Sequence, residues 1–306
     1  MPIIFFGSPR FAVPSLKALI EAGEEVALVV TQPDKIRDRG HKILPTPVKS
    51  FAKELNIPVL DPSSLKDDAF IDKLSLIRPE FIIVVAYGKI LPPKILDIPT
   101  SGCINLHASL LPKYRGAAPI QWAIIKGEEK TGVTTMLMDE GLDTGPIFLK
   151  RELKIEDEDN AESLSKKLSE IGASLLVETI RGIRDGIIKP FPQQGEPSYA
   201  PQLKKEDGKI DWNKSATEIF NIIRGTYPWP GAYCLIGDER VKILKAKPLN
   251  NLKDRPGYIE KVSKDELIIG TGNGLLSILE IQPSGRSAMT IKAFLQGRKI
   301  VEGSKL

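Results

Sequence analysis

The sequence predicts an α/β domain with a parallel sheet, followed by a small β-barrel. Over the first half, short and wholly apolar runs alternate with amphipathic segments of helical spacing. This alternation is typical of a parallel sheet with helices on both faces. Beyond residue 206 the runs are shorter and broken by turns, which is typical of a small barrel. A proline-rich stretch between them predicts domains at 1–189 and 207–306, joined by a linker at 190–206.

Hydrophobic periodicity places the individual elements. Strands of the first domain are expected where apolar residues are continuous, at 3–6, 26–30 and 81–86. Further strands are expected at 103–106, 133–138 and 147–153. Helices are expected where apolar residues recur every three or four positions, at 11–22, 48–55, 65–77, 120–125 and 161–183. The second domain should hold one helix at 215–223 and strands at 231–236, 241–244, 257–262, 266–269 and 275–281.

Composition limits the chemistry of the chain. Its 306 residues include only two cysteines and two histidines, so neither a disulfide framework nor a zinc-ligand cluster is expected. The N-terminal segment lacks a basic region followed by a long apolar run, so we expect no signal peptide and no membrane span. These features predict a protein of a reducing compartment, the cytoplasm, that needs no metal ion.

Basic character is concentrated in two regions. Residues 207–306 contain 16 Lys and Arg against 11 Asp and Glu, whereas residues 1–206 contain 27 against 28. The loop at 31–42 follows an apolar strand and carries Lys35, Arg37, Arg39 and Lys42. A long polar loop is by default a solvated surface segment, but one on the crevice side of a sheet is also suited to phosphate contact. The uneven charge favours a polyanionic partner for the second domain.

The first strand–turn–helix invites a dinucleotide-binding interpretation. The turn Gly7-Ser-Pro-Arg has only one glycine of the Gly-x-Gly-x-x-Gly pattern, and Pro9 interrupts it. Asp34 follows the second strand but does not end it. The sequence therefore disfavours a nicotinamide site.

Asn105 and His107 form the first candidate site. They lie two residues apart at the carboxyl end of a predicted strand, so their side chains should share one face. Ligand crevices of open α/β sheets lie at this edge. An Asn amide can donate to a carbonyl-type oxygen, and a His can donate a hydrogen bond or move a proton near neutral pH. A histidine packed in the core is the alternative, but the adjacent Asn and the polar loop that follows favour a site.

Asp143 is the second candidate, in the turn Gly141-Leu-Asp-Thr-Gly145 between two predicted strands. An aspartate is common in turns for local reasons. Asp-Thr-Gly is also an aspartic-protease signature, but that chemistry needs two such aspartates that share a proton. This chain has one Asp-Thr-Gly, so a homodimer would have to supply the second, and its flanking sequence does not suit the all-β fold of those enzymes. A carboxylate beside His107 would instead orient the imidazole and raise its basicity. No serine-centred or phosphate-loop motif is present, and Cys103 is expected in the core.

Several motifs, taken in order, resemble those of the methionyl-tRNA formyltransferases of the folate-dependent formyltransferase superfamily. The resemblance spans the chain and rests on FFGSPRFAVPSL, TQPD…RGHK, INLHASLLPKYRGAAPIQWAI, GLDTGPI, KKEDGKIDW and RSAM. It implies a Rossmann-like formyltransferase domain followed by an OB-like C-terminal domain that binds tRNA. His41 departs from the pattern, because many members have Lys at this position, and it removes a permanent charge from the loop.

The resemblance also implies roles for particular residues. Asn105, His107 and Asp143 match the catalytic trio, and the segment Ser109, Leu110, Leu111 and Pro112 matches the folate-binding segment. Phe11 and Arg39 match positions near the acceptor end of the substrate. Lys42 of the basic loop, together with Lys204 and Lys205, would contact the tRNA through its phosphates. The implied reaction moves the formyl group of 10-formyltetrahydrofolate to the amino group of methionine on initiator tRNA, for translation initiation.

Other expectations accompany this one. The partners implied are initiator Met-tRNA and the folate co-substrate, with no membrane partner, and the chain is expected to be a monomer of a bacterial cytoplasm. The protonation state of His107 is left open by the sequence. A hydrolase of formyl-folate is an alternative that the C-terminal domain disfavours. A non-catalytic RNA-binding protein is another, which the intact trio disfavours.

Overall fold

The computed structural model describes residues 1–37, 42–249 and 255–306. The chain divides into two compact units. Unit 1 comprises Met1–Pro119, Thr131–Lys154 and Ser165–Ala200, and unit 2 comprises Ile120–Lys130, Ile155–Leu164 and Pro201–Leu306. No helix among the described residues is long and apolar enough to cross a membrane.

Unit 1 is built on a seven-stranded sheet. Its strands in chain order are β1 (Ile3–Gly7), β2 (Val26–Val30), β5 (Val59–Leu60), β6 (Phe81–Val85), β7 (Cys103–His107), β8 (Lys130–Leu137) and β9 (Ile147–Lys154). Across the sheet the order is β5-β2-β1-β6-β7-β8-β9. A separate hairpin pairs β3 (Lys35–Arg37) with β4 (Lys42–Leu44).

Helices follow the strands in the alternation that the sequence predicts. They are α1 (Val13–Glu21), α2 (Pro47–Glu54), α3 (Asp68–Ile77), α4 (Pro93–Leu96), α5 (Pro119–Ile125) and α6 (Ala161–Arg184). Helix α3 starts three residues later than predicted, because the Asp67 carboxylate accepts from Ala69 N at 3.0 Å and so caps the first turn. The short strand β5, the hairpin and α4 are elements that the sequence pattern does not predict.

The sheet is mixed rather than wholly parallel. The pairs β1–β2, β1–β6, β2–β5 and β6–β7 are parallel, but β8 runs antiparallel to β7. Ile4 and Phe6 of β1 pack with α3, while Ile3 and Phe5 on the opposite face are also fully buried. Burial of both faces explains why these strands are apolar at every position. The architecture is the predicted Rossmann-like one with an antiparallel extension.

A partly buried cluster of ion pairs connects helix α2 to the ends of strands β2 and β5. Lys49 on α2 places its Nζ 2.7 Å from Asp34 Oδ2 and 2.7 Å from Asp61 Oδ2. Hydrogen bonds to these two carboxylates raise the pKa of Lys49. Asp34 therefore pairs with a lysine of the fold, which is a different arrangement from the ribose-binding acid of a nicotinamide site.

Unit 2 contains an antiparallel sheet in the order β10-β11-β14-β13-β12, with a short strand β15 beside β14. The strands are β10 (Tyr233–Ile236), β11 (Glu239–Leu249), β12 (Ile259–Val262), β13 (Leu267–Gly270), β14 (Leu275–Pro283) and β15 (Met289–Thr290). Helices α7 (Ala216–Gly225) and α8 (Ile291–Leu295) contribute Ile219, Ile223 and Phe294 to its core. The sheet curls into a half-barrel, as the OB-like expectation requires. Strand β11 is longer than predicted because its pairing with β14 continues to Leu249.

The proline-rich stretch is divided between the two units, after Ala200. Its first part lies along unit 1, where Phe191 forms a bridge with Ile147, and Tyr199 forms one with Arg115. The bounds 1–189, 190–206 and 207–306 for catalytic domain, linker and second domain stay a prediction.

Candidate active site

Two side chains of β7 define the candidate site. Asn105 and His107 alternate with the buried Ile104 and Leu106, so they project from the same face, as the two-residue spacing predicts. Asn105 is half-buried, whereas His107 is only 6% exposed. They lie at the carboxyl end of a strand that is parallel to β6, at the edge where such sheets place ligands.

Asp143 is brought to the same place by the turn between β8 and β9. Its Oδ2 atom lies 3.6 Å from Nδ1 of His107, and its Oδ1 atom accepts from Asn105 Nδ2 at 3.4 Å. The shortest contact to its carboxylate is with the backbone N–H of Gly116, 2.8 Å from Oδ2. Asp143 has a φ of +53°, a left-handed conformation that Asp tolerates better than most residues. The structure thus brings together the three residues predicted as a trio.

The His107 ring has a different neighbour at each nitrogen: a backbone carbonyl at Nε2 and the Asp143 carboxylate near Nδ1. Its Nε2 atom lies 2.9 Å from the carbonyl oxygen of Tyr114. A carbonyl oxygen only accepts, so Nε2 must carry a proton in this arrangement. Nδ1, which lies beyond hydrogen-bond distance of Asp143, is then the ring nitrogen that can gain or lose a proton. The sequence does not predict this contact, because nothing in it indicates where the Tyr114 carbonyl points.

The segment 109–112 forms a tightly bonded turn after His107. Ser109 is fully buried and its hydroxyl donates to the Lys113 carbonyl at 2.5 Å. Thr134 of β8 donates to the Ser109 carbonyl at 2.6 Å and accepts from Leu111 N at 3.3 Å. Lys150 Nζ donates to the Leu111 carbonyl, and burial lowers the pKa of this lysine. Leu111 and Pro112 are buried and Leu110 is half-buried, so the segment is rigid beside the site.

The arrangement suits acyl transfer. An amide and an imidazole on one face can donate to an oxyanion, and a carboxylate beside the imidazole can stabilise its charged form. Cys103 lies in the core, where burial raises the pKa of its thiol to about 12, so it is not activated as a nucleophile. Across residues 1–37, 42–249 and 255–306, no group of three His, Cys, Asp or Glu residues could hold a metal ion.

The residues predicted to serve the substrate are scattered along the chain. Phe11 is half-buried in a single helical turn, Arg10–Ala12, directly after β1. Arg39 lies outside the described residues, and Lys42 begins strand β4. Lys204 and Lys205 are exposed at a second short helical turn, Lys205–Gly208, in unit 2.

Three further residues surround Asp143 and are not identified as site residues by the sequence. Gly116 and Arg115 lie within the Lys-Tyr-Arg-Gly loop, and Gln193 lies in the stretch predicted to be a linker. Arg115 donates to Gln193, whose amide in turn donates to backbone carbonyls beside Asp143. A sequence signal exists for the first two, because they follow the site strand, but none distinguishes Gln193 from Gln194.

Comparison with protein families gives two matches. Residues 1–180 match the family described as formyl transferase, and residues 202–299 match the formyl transferase C-terminal domain. A protein of Thermodesulfovibrio yellowstonii named methionyl-tRNA formyltransferase is 63% identical over 98% of this chain and 97% of its own. One of the same name from Caldanaerobacter subterraneus is 50% identical over the full length of both chains.

Solved structures agree on the fold. Methionyl-tRNA formyltransferase from Clostridium thermocellum is 22% identical in the superposition, with a TM-score of 0.56 over 81% of this chain and 93% of that one. HypX from Aquifex aeolicus, solved in complex with tetrahydrofolic acid, gives a TM-score of 0.65 at 20% identity over 96% of this chain and 46% of that one. The site geometry, the fold and the family matches lead to one assignment: this chain belongs to the formyl transferase family.

Proposed function

We propose that this enzyme transfers the formyl group of 10-formyltetrahydrofolate to the amino group of methionine esterified to initiator tRNA. The observation that carries the proposal is the near full-length identity to proteins named methionyl-tRNA formyltransferase, 63% over 98% of the chain. The convergence of Asn105, His107 and Asp143 at one sheet edge supports it independently, because formyl transfer needs donors and a proton carrier at one place.

The reaction requires a neutral amine that attacks the formyl carbon. A carbon–nitrogen bond forms, the formyl oxygen becomes an oxyanion, and the bond from that carbon to N10 of the folate then breaks. Asn105 Nδ2–H would donate to the oxyanion, and His107 would donate to it only after Nδ1 has taken the amine proton. The amine loses one proton and N10 gains one, so no net proton is consumed.

His107 is the proposed carrier of that proton. Its Nε2–H stays bonded to the Tyr114 carbonyl, so Nδ1 takes the amine proton and returns it to N10, directly or through a water molecule. Asp143 stabilises the ring while Nδ1 is protonated. The Ser109–Pro112 segment would receive the folate, since it is rigid and adjoins His107.

We propose that the substrate tRNA is bound by the basic loop and by the second domain. Arg39 and Lys42 would enter the acceptor end of the tRNA between the two strands of its first base pair. This requires a first base pair that opens at low cost, and enzymes that extrude bases likewise act most readily on weakly paired bases. Phe11 would lie near the methionine, while Lys204, Lys205 and the basic residues of 207–306 would contact phosphates. In this proposal residues 1–189 are catalytic, 190–206 are a linker, and the protein acts as a cytoplasmic monomer, which light scattering can test.

The decisive assay mixes the enzyme with 10-formyltetrahydrofolate and Met-tRNA, comparing initiator with elongator tRNA. We expect formylation of the initiator form and little of the elongator form. Release of formate without any tRNA requirement would identify a hydrolase instead. Binding of tRNA without turnover would identify a non-catalytic protein.

A variant of the basic loop tests the tRNA assignment. Arg39→Ala should raise KM for Met-tRNA and reduce the salt dependence of binding, because one phosphate-binding cation is lost. Its KM for the folate should not change. A selective loss of folate binding would contradict the assignment of the loop.

A further inference from the structure

The turn that carries Asp143 is held by a side chain from a distant part of the chain. Gln193 Nε2 lies 2.8 Å from the carbonyl oxygen of Asp143 and 2.8 Å from the carbonyl oxygen of Gly145. The Gln193 amide nitrogen therefore donates both of its hydrogens, one to the carbonyl oxygen of Asp143 and one to that of Gly145, within the same turn. The backbone at Asp143 is left-handed, with φ +53°, so the conformation is one that needs support from its surroundings.

The orientation of the Gln193 amide is itself fixed. Its Oε1 atom accepts from Nη2 of Arg115 at 2.7 Å and from Nε of the same guanidinium at 3.2 Å. A guanidinium only donates and a carbonyl only accepts, so the amide oxygen must face Arg115 and the nitrogen must face the turn. A flipped amide would lose every one of these four contacts.

Arg115 links this support to the loop that contacts the carboxylate. The next residue, Gly116, donates its N–H to Asp143 Oδ2 at 2.8 Å. The loop is in turn paired with the stretch after Gln193, since Arg115 N donates to the Ser198 carbonyl and Ala200 N to the Arg115 carbonyl, each at 2.8 Å. Asp143 is thus held at its side chain by Gly116 and at its backbone by Gln193.

We propose that Gln193 is a positioning residue for formyl transfer, and that Arg115 orients its amide. The carboxylate of Asp143 lies 3.6 Å from His107 Nδ1 and 3.4 Å from Asn105 Nδ2, so small shifts of the turn decide whether these contacts tighten or break. A misplacement of about 1 Å in a reacting geometry can cost on the order of 100-fold in rate. The described hydrogen bonds of the Gln193 side chain go to Arg115 and to backbone carbonyls, so in this proposal it acts through the backbone of Asp143. The inference rests on the proposed function, which gives Asp143 its role.

The sharpest variant is Gln193→Glu. It keeps the shape of the side chain and the bond to Arg115 but replaces the amide nitrogen with an oxygen that faces two carbonyl oxygens. We expect kcat to fall by roughly 10- to 100-fold while KM for both substrates stays within about twofold. Gln193→Leu should have a similar effect. Gln194→Leu is the matched control, because this neighbour is exposed, and it should retain wild-type turnover.

A spectroscopic measurement separates positioning from general loosening of the fold. The chain has two histidines, so ring ¹⁵N signals of His107 can be identified by their absence in His107→Gln. In Gln193→Glu the Nδ1 signal, from the atom that faces Asp143, should shift, while the Nε2 signal, from the atom bonded to Tyr114, should not. A double variant of Arg115→Ala with Gln193→Leu should lose no more activity than the more impaired single variant.

The outcomes are distinct. Three results for Gln193→Glu would overturn the positioning role. They are a kcat within threefold of wild type, an increase in KM that accounts for the loss of activity, and equal shifts of the two ring-nitrogen signals of His107. Failure of the wild-type protein to formylate Met-tRNA would instead overturn the proposed function.

Discussion

His107 Nε2 lies 2.9 Å from the carbonyl oxygen of Tyr114, whereas its Nδ1 lies 3.6 Å from Asp143 Oδ2. The first contact is a hydrogen bond and the second is not, so the backbone fixes the ring while the carboxylate remains near it without a direct bond. In the proposed mechanism the two ring nitrogens have different tasks: Nε2 holds the ring in place and Nδ1 carries the proton.

Substitutions that keep one nitrogen position at a time test this division. His107→Asn places an amide near the position of Nδ1, and His107→Gln reaches toward the position of Nε2. We expect His107→Ala to lose at least about 100-fold in turnover, as loss of a general acid–base does. His107→Asn should retain about tenfold more activity than His107→Gln. The opposite order in a formylation assay would assign the reaction to Nε2.

Asn105 should act as an oxyanion donor. Asn105→Ala is expected to lower kcat by about 10²–10³ without changing the melting temperature, because the side chain is half-buried and its only described hydrogen bond is the 3.4 Å contact to Asp143. Asn105→Asp keeps the shape but removes the donor and places a second carboxylate beside Asp143. It should be at least as impaired. Near-normal turnover by either variant would remove this donor from the mechanism.

Lys49 should stabilise the fold in a pH-dependent manner. Its pKa is raised by the two aspartates, so its contribution is complete below pH 10.5 and is lost as the pH rises through the raised value. Lys49→Met leaves both carboxylates without their cation and should cost ~1–2 kcal/mol near neutral pH, between an exposed and a fully buried pair, because Asp61 is partly exposed. Urea unfolding at pH 7, 9 and 11 should show the difference from wild type narrowing only at the highest pH.

Lys17 provides the control for Lys49. It forms an exposed i,i+4 pair with Glu21 at 3.5 Å. Such pairs contribute about 0.3–0.5 kcal/mol, so Lys17→Met should hardly change the unfolding midpoint. If Lys17→Met and Lys49→Met lowered the unfolding midpoint equally, partial burial of the Lys49 cluster would make no difference to its contribution to stability.

Both cysteines should resist modification in the folded protein. Cys103 and Cys234 are buried, and burial raises the pKa of each thiol to about 12. Only the thiolate reacts, so an alkylating reagent at pH 8 should leave both unmodified by mass spectrometry and leave activity intact. Both should react once the protein is unfolded in urea. Rapid loss of activity in the native state would contradict a purely structural role for Cys103.

Gly145 should be intolerant of any side chain. A Cβ atom at this position would overlap the carbonyl oxygen of Leu137, so Gly145→Ala must displace the turn that carries Asp143. We expect a lower melting temperature and at least a tenfold loss of turnover. Gly237→Ala is the control, since its Cβ would meet open space and only its left-handed backbone, φ +59°, would add a cost of about 1–2 kcal/mol.

The sequence is sufficient for the elements whose periodicity is strong. Strands β2 and β6 and helix α6 lie within one or two residues of their predicted bounds, because uninterrupted apolar runs and a 3.6-residue period leave few alternatives. The antiparallel direction of β8 is not predictable in this way, since strand direction depends on the path of the intervening chain and not on local composition. The two-residue strand β5 is too short to have a period.

The candidate site divides in the same way. The shared face of Asn105 and His107 follows from strand geometry, so their two-residue spacing is enough to predict it. The roles of the Tyr114 carbonyl and the Gly116 N–H depend on backbone direction, which side-chain identity does not encode. The proline and glycine neighbours of Gln193 predict a linker, because such residues usually indicate one. The contacts of Gln193 form only when the distant loops are already in place.

The position of residues 191–200 determines which fragments of the chain keep the contacts that hold Asp143. A fragment that ended at residue 180 or 189 would contain every strand of the seven-stranded sheet and all three residues of the trio. It would nevertheless lack Gln193 and the backbone of Ser198 and Ala200, against which the Arg115–Gly116 loop is paired. The smallest piece of chain that keeps these contacts to Asp143 and its neighbouring loop therefore extends to about Ala200, so a stable minimal fragment should include the start of the proline-rich stretch.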